Sequence, residues 1–323
     1  MVAAFQRLEI MASSCFGCVQ ENLEKKIIAV LKEKGPLTGA EILDDLGEDS
    51  LLVWRACKLS KALTVRTIGC RYLRLDSKIE GFARLSPSIL REFLTYSVIG
   101  LTRDQEALSR KAGETASHIK EVSKAKLDLA DNIFSAVLGQ LENDGLIKER
   151  ACVLIAGDIV YEMAHDVPRP ERSTGKMVKG SDMDLVVVVD DLFPKELMES
   201  MDETIYREKQ KVLMTPHLRE EMDYVVKDMS RVREQMGFDT FKRMVACKIL
   251  QESTLLWGQQ DLFESIKSML QEHGITGKLR KMEEHAVTFR ANAEATLLME
   301  DPEKIRNEGL HLFYPTEESE EFE

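Results

Sequence analysis

Gly180-Ser181-Asp182-Met183-Asp184-Leu185-Val186-Val187-Val188-Val189 sets two carboxylates at the head of a strongly β-prone run. Four consecutive valines favour a pleated, buried strand. A strand projects residues i and i+2 from one face, so Asp182 and Asp184 converge on one point. Two negative charges held that close repel, and a divalent cation between them reverses the sign of the interaction. Hard carboxylate oxygens favour Mg²⁺ or Mn²⁺ over zinc, with phosphate oxygens and waters completing the octahedron. A third carboxylate, Asp223, stands in Met222-Asp223-Tyr224-Val225-Val226, a later β-prone run. The plain alternative is a pair of solvated aspartates at a strand end.

Working outward, Ala151-Cys152-Val153-Leu154-Ile155-Ala156 is a short apolar run of the kind a buried strand requires. Gly157-Asp158 follows, then an expected helix from Ile159 to His165 and a polar loop from Asp166 to Ser181. Asp190 or Asp191 is suited to cap a helix over Pro194 to Met214. The order helix, strand, helix, strand, helix, strand predicts an α/β unit with the acidic pair near one end of its sheet.

With these residues in view, the segment from about 130 to 270 resembles the polymerase-β-like nucleotidyltransferase superfamily. The resemblance rests on Ala156-Gly157-Asp158, on Gly180-Ser181-Asp182-Met183-Asp184-Leu185, and on Asp223 in its strand. A further run, Ile249 to Gly258, looks like the Glu-Ser-containing strand that closes such domains. The resemblance implies a mixed sheet and two Mg²⁺ or Mn²⁺ ions held by Asp182, Asp184 and Asp223. It also implies transfer of a nucleoside monophosphate from an NTP to a hydroxyl acceptor, with release of pyrophosphate. Gly157, Gly180 and Ser181 would approach the triphosphate, and Asp223 would take the hydroxyl proton. Two features depart from the pattern. Asp158 stands where the family has Gly or Ser, and Pro168 to Lys179 is an insertion ahead of the acidic pair. Arg169, Arg172, Lys176 and Lys179 in that insertion are expected to neutralise phosphates.

Upstream, residues 21–34 read as an amphipathic helix with Leu23, Ile27, Ile28, Val30 and Leu31 on one stripe, stopped by Gly35-Pro36. Short helices fit 39–46 and 51–62. Two β-prone runs, 63–68 and 70–75, flank Gly69 as an expected hairpin, and Ser86-Pro87 opens a helix to about Ile99. Three helices followed by a hairpin is the order of a winged helix-turn-helix domain. Arg55, Lys58 and Lys61 recur at helical spacing, while Arg66, Arg71 and Arg74 decorate the expected wing. Together they are read as a local basic face suited to nucleic-acid phosphates. Packing or dimerisation is the other reading of those positions.

The fold expected is α+β, in five parts. Residues 1–20 form a flexible start, 21–100 a winged helix and 101–128 a helical connector. Residues 129–273 form the nucleotidyltransferase domain, and 274–323 a C-terminal helix with an acidic tail. The expected acceptor is nucleic acid, RNA or DNA. The alternative is a DNA-binding regulator whose transferase domain senses a nucleotide or is degenerate. The chain has 323 residues, 44% of them hydrophobic, enough for two cores. Its net charge of −12 argues against a protein that coats nucleic acid indiscriminately. No apolar run of about 18 residues exists, so no membrane partner is expected. Six scattered cysteines point to the reducing cytoplasm, although Cys15 and Cys18 have zinc-like spacing without a second pair. The 102–143 region could serve a homo-oligomer.

Overall fold

The computed structural model describes residues 20–142, 144–171 and 174–314 of a mixed α+β chain. The expected roles of Cys15, Cys18 and Arg172 lie outside the described residues. The chain forms two compact units, one of residues 20–69, 87–117 and 289–314 and the other of residues 70–86 and 118–288. Each is described in its own terms.

The first unit contains helix α1 (20–34), strand β1 (Leu37–Thr38), helices α2 (Gly39–Leu46) and α3 (Ser50–Leu59), and strand β2 (Leu63–Thr67). Thr38 and Glu41 form a reciprocal capping box that starts α2, and left-handed Gly47 ends it. Asp49 caps α3 through the Leu52 amide. Two other strands, β3 (Tyr72–Leu75) and β4 (Ala83–Ser86), lie in the second unit, where they pair antiparallel with each other. The expected 63–75 hairpin is therefore not formed. Strand β2 instead pairs with β5 (Ser97–Leu101), which lies beyond helix α4 (Ile89–Thr95). The helix expected to reach Ile99 stops at Thr95, because Ser97-Val98-Ile99 alternates into a sheet of order β1-β5-β2. Trp54, 1% exposed, packs on Phe313 with ring centroids 5.6 Å apart and anchors this core with Ile27, Ile42 and Phe93.

Helix α5 (Gln105–Leu138) is one continuous helix, and a short helix α6 (Asp144–Arg150) leads into strand β6 (Ala151–Ala156). The residues after Ala156 make a single 3-10 turn, Gly157–Ile159, and not the helix expected to His165. The insertion carries a small two-stranded ribbon, β7 (Pro168–Pro170) and β8 (Met177–Lys179). Strand β9 (Met183–Val189), helix α7 (Lys195–Met214) and strand β10 (Met222–Asp228) follow. The N-cap of α7 is Pro194, without a side-chain cap, so Asp190 and Asp191 do not start it. Helices α8 (Met229–Gln235) and α9 (Phe241–Glu252), strand β11 (Thr254–Gly258), and helices α10 (Gln260–Glu272) and α11 (Ile275–Met299) come next, and short helical segments between Pro302 and Phe313 end the described residues.

The four-stranded sheet has the order β10-β9-β6-β11. Its β9–α7–β10 crossover makes those two strands parallel, and β6 runs antiparallel to β9 and to β11. Pleating sorts the two faces. Cys152, Leu154, Val186 and Val188 pack with α8 to α11 and with Leu73 and Leu75 of β3. Val153, Ile155, Leu185 and Val187 pack with α5 and α7. Both faces being covered explains why β6 and β9 read as unbroken apolar runs. Asp184 has the parity of Val186, so its side chain belongs to the first of these faces.

Candidate metal centre

Register alone assembles the site. Asp184 of β9 lies opposite Asp223 of β10 on one side and opposite Ala156 of β6 on the other. The starts of two parallel strands thus meet the end of the antiparallel one, where the chain turns at Gly157. Carboxylate oxygens of Asp182, Asp184 and Asp223 all lie within 4.8 Å of one another. Asp184 is buried and the other two are half-buried.

Two glycines let the backbone close on this cluster. Gly157 has φ +73°, and a Cβ there would stand 2.1 Å from Asp184 Oδ2. Gly180 has φ +65°, and a Cβ there would strike the His165 carbonyl oxygen at 1.8 Å. Both therefore require the left-handed region and the missing side chain.

Asp158 is buried and bonded within the protein. Ser181 Oγ donates to its carboxylate at 2.6 Å, and the Tyr72 hydroxyl donates to its other oxygen. Tyr72 also stacks on Tyr161, ring centroids 4.0 Å apart and nearly parallel. Tyr161 donates to Glu252 at 2.8 Å, and Glu252 accepts from Lys248 at 2.8 Å. The Gly157 amide reaches the same Glu252 carboxylate at 3.4 Å. A cavity of about 300 Å³ opens beside these groups, lined by Tyr161, Gln251, Glu252, Thr276, Arg280 and Glu283 among others. It lies on the face of the sheet that carries Asp184.

Cations surround the acids. Arg169 of β7 donates through Nε to the Gly180 carbonyl at 2.7 Å and pairs with Glu221 at 2.7 Å and Asp182 at 3.6 Å. Lys209 of α7 donates to Asp223 at 2.9 Å. Loss of solvation raises the Asp182 pKa above the usual carboxylate value; Arg169 opposes this, Asp223 and Asp158 add to it, and Arg74 opposes it again. Glu221 is raised as well, first by burial, against the pull of Arg169 and with Asp182 and Asp223 adding to the rise.

Among the described residues, the two lysines expected to neutralise phosphates have partners elsewhere. Lys179 donates to the His217 carbonyl at 2.8 Å and Lys176 lies against Met214. One member of the basic face expected upstream is internal. Arg55 is 3% exposed and donates to the carbonyls of Leu297, Leu298 and Glu300, so it is an internal cap and not a phosphate contact. Lys61 lies beyond the end of α3, Lys58 is half-buried, and Arg66 donates to Ser109. Arg71 and Arg74 belong to the unit that holds the acidic cluster.

Tyr72, Tyr161, Lys209 and Glu221 carried no signal in the sequence, since their partners are set by tertiary packing. Glu252 was marked only by its place in the Ile249–Gly258 run; it closes α9, and Ser253 follows as the cap. No protein-family model, curated protein or solved structure matches the chain. Among the described residues, no helix is long and apolar enough to cross a membrane.

Proposed function

We propose that the chain is a Mg²⁺- or Mn²⁺-dependent nucleotidyltransferase of the polymerase-β-like type, moving a nucleoside monophosphate from an NTP to a hydroxyl acceptor. The observation that carries this reading is the meeting of Asp182, Asp184 and Asp223 within 4.8 Å at the paired ends of two parallel strands. Three hard oxygen donors that close fit a divalent ion such as Mg²⁺ or Mn²⁺. When bound, the metal supplies neutralisation of triphosphate charge and acidification of the acceptor hydroxyl.

The chain's own groups support the remaining chemistry. In this reading the acceptor oxygen attacks the α-phosphorus, the bond to the bridging oxygen of pyrophosphate breaks, and the hydroxyl proton passes to Asp223. The turns at Gly157 and Gly180 bring backbone within reach of phosphate oxygens. Because Asp158 is bonded to Tyr72 and Ser181, its charge is directed away from that path. The cavity beside Tyr161 and Glu252 offers room for the nucleoside part. In the other unit, the sheet order β1-β5-β2 with α2 and α3 between β1 and β2 is consistent with a winged helix. We keep a nucleic acid as the proposed acceptor.

The test is incubation of the purified chain with each labelled NTP, Mg²⁺ or Mn²⁺, and total cellular RNA, DNA and protein. Label should appear in one acceptor class and vanish in Asp182→Asn and Asp184→Asn. Incorporation that survives either substitution, or none with any acceptor, would overturn the proposal.

A further inference from the structure

The cluster's third carboxylate already has a cation. Lys209 Nζ lies 2.9 Å from Asp223 Oδ1, with side-chain exposures of 26% and 31%. The lysine is held there by α7, which packs against the sheet through Met201, Ile205 and Val212. An ammonium group only donates, and one sharing a carboxylate with a divalent ion would sit within a few ångströms of a like charge. At that range repulsion is strong even when partly screened. Asp223 can therefore serve one cation fully or the other.

We propose that Lys209 is the built-in counter-ion of Asp223 and must leave that carboxylate for a divalent ion to bind, so that it sets the affinity of the cluster for metal. This rests on the metal-binding reading above. Lys209 is a positioning residue: it neutralises the third acid in the metal-free chain and keeps three carboxylates compatible with folding. Arg169, at 3.6 Å from Asp182, is the looser equivalent on the other side.

The experiment is a titration of the full chain with Mn²⁺ alone, followed by the electron paramagnetic resonance of free Mn²⁺. Lys209→Met should bind Mn²⁺ several-fold, about three- to ten-fold, more tightly than the wild type. Lys209→Arg, which keeps the charge, should stay near the wild type. The double variant Lys209→Met/Asp223→Asn should bind no more tightly than Asp223→Asn alone. Circular dichroism establishes that each variant is folded. Equal or weaker binding by folded Lys209→Met overturns the inference, as does an equal gain in the Asp223→Asn background. If neither the wild type nor Lys209→Met binds Mn²⁺ at millimolar concentration, the metal reading falls too. If the wild type binds and Lys209→Met is unchanged, only the inference falls.

Discussion

The Tyr72 hydroxyl donates to the carboxylate of Asp158, joining residues 86 positions apart in the chain. This bond ties β3 to the turn beside the acidic cluster. Tyr72→Phe keeps the stack on Tyr161 but leaves Asp158 with one hydroxyl donor fewer. A buried acceptor that loses its partner costs about 1–3 kcal/mol. The variant should therefore melt at a lower temperature in a thermal scan. Against an Asp158→Asn background the same change should cost much less, because the two residues act as one pair. Equal losses in both backgrounds would mean that the bond contributes little.

The strands of the cluster were legible because their signal is local. Residues 151–156 and the valine run after Asp184 are apolar without a break, and an acid at a strand start is visible at once. Helices α2 and α7 were also expected over nearly the spans they occupy, although the cap expected for α7 at Asp190 or Asp191 does not form. Pairing was not legible. Leu63–Thr67 and Tyr72–Leu75 look like one hairpin around Gly69, yet each finds its partner further along, in β5 and β4. Arg55 shows the same limit: its spacing with Lys58 matched a basic face, but its guanidinium satisfies carbonyls more than 240 residues away. Long-range partners leave no trace in a local pattern.

Gly157 links backbone strain directly to the site. A non-glycine residue at φ +73° costs about 1–2 kcal/mol, and the added Cβ would stand 2.1 Å from Asp184 Oδ2. The carboxylate is the movable partner, so Gly157→Ala should displace it. We expect a modest loss of stability together with a drop in Mn²⁺ affinity of at least about ten-fold, since one hard ligand is misplaced. Isothermal titration with Mn²⁺ and urea unfolding measure the two effects separately. Unchanged affinity in a folded variant would show that Asp184 is not a ligand.

Arg55 closes the end of α11, where carbonyl oxygens have no partners within the helix. Its three bonds to Leu297, Leu298 and Glu300 place a cation at the negative end of the helix dipole. Arg55→Met should destabilise its unit by about 2–4 kcal/mol, as expected for losing charged hydrogen bonds from a buried position. Any affinity the wild type has for duplex DNA should be unaltered where the variant remains folded. A selective fall in DNA binding without a fall in unfolding free energy would return Arg55 to a nucleic-acid surface.

Lys227 makes the stability of its unit depend on pH. Its side chain is 5% exposed on β10 and donates to Gln235 Oε1 at 2.9 Å. Burial pushes its pKa down from 10.5 to about 8, against an opposing pull from Cys247 and with a small further push from Arg231. The folded chain thus releases this proton near pH 8, whereas the unfolded chain holds it to about 10.5. Between those values the unfolded state binds more protons, so this group's contribution to stability rises with pH and is least favourable below 8. Each pKa unit corresponds to about 1.4 kcal/mol, which bounds the full effect at about 3.5 kcal/mol. Cys247, raised by burial to about 11, works in the opposite sense as pH climbs past the ordinary thiol range. Comparing wild type with Lys227→Met cancels most of that background. Urea unfolding from about pH 7 to pH 10 should show a constant difference at the low end and the wild type gaining on the variant once pH passes about 8. A difference independent of pH would mean that the buried amine is charged throughout, held by groups other than Gln235.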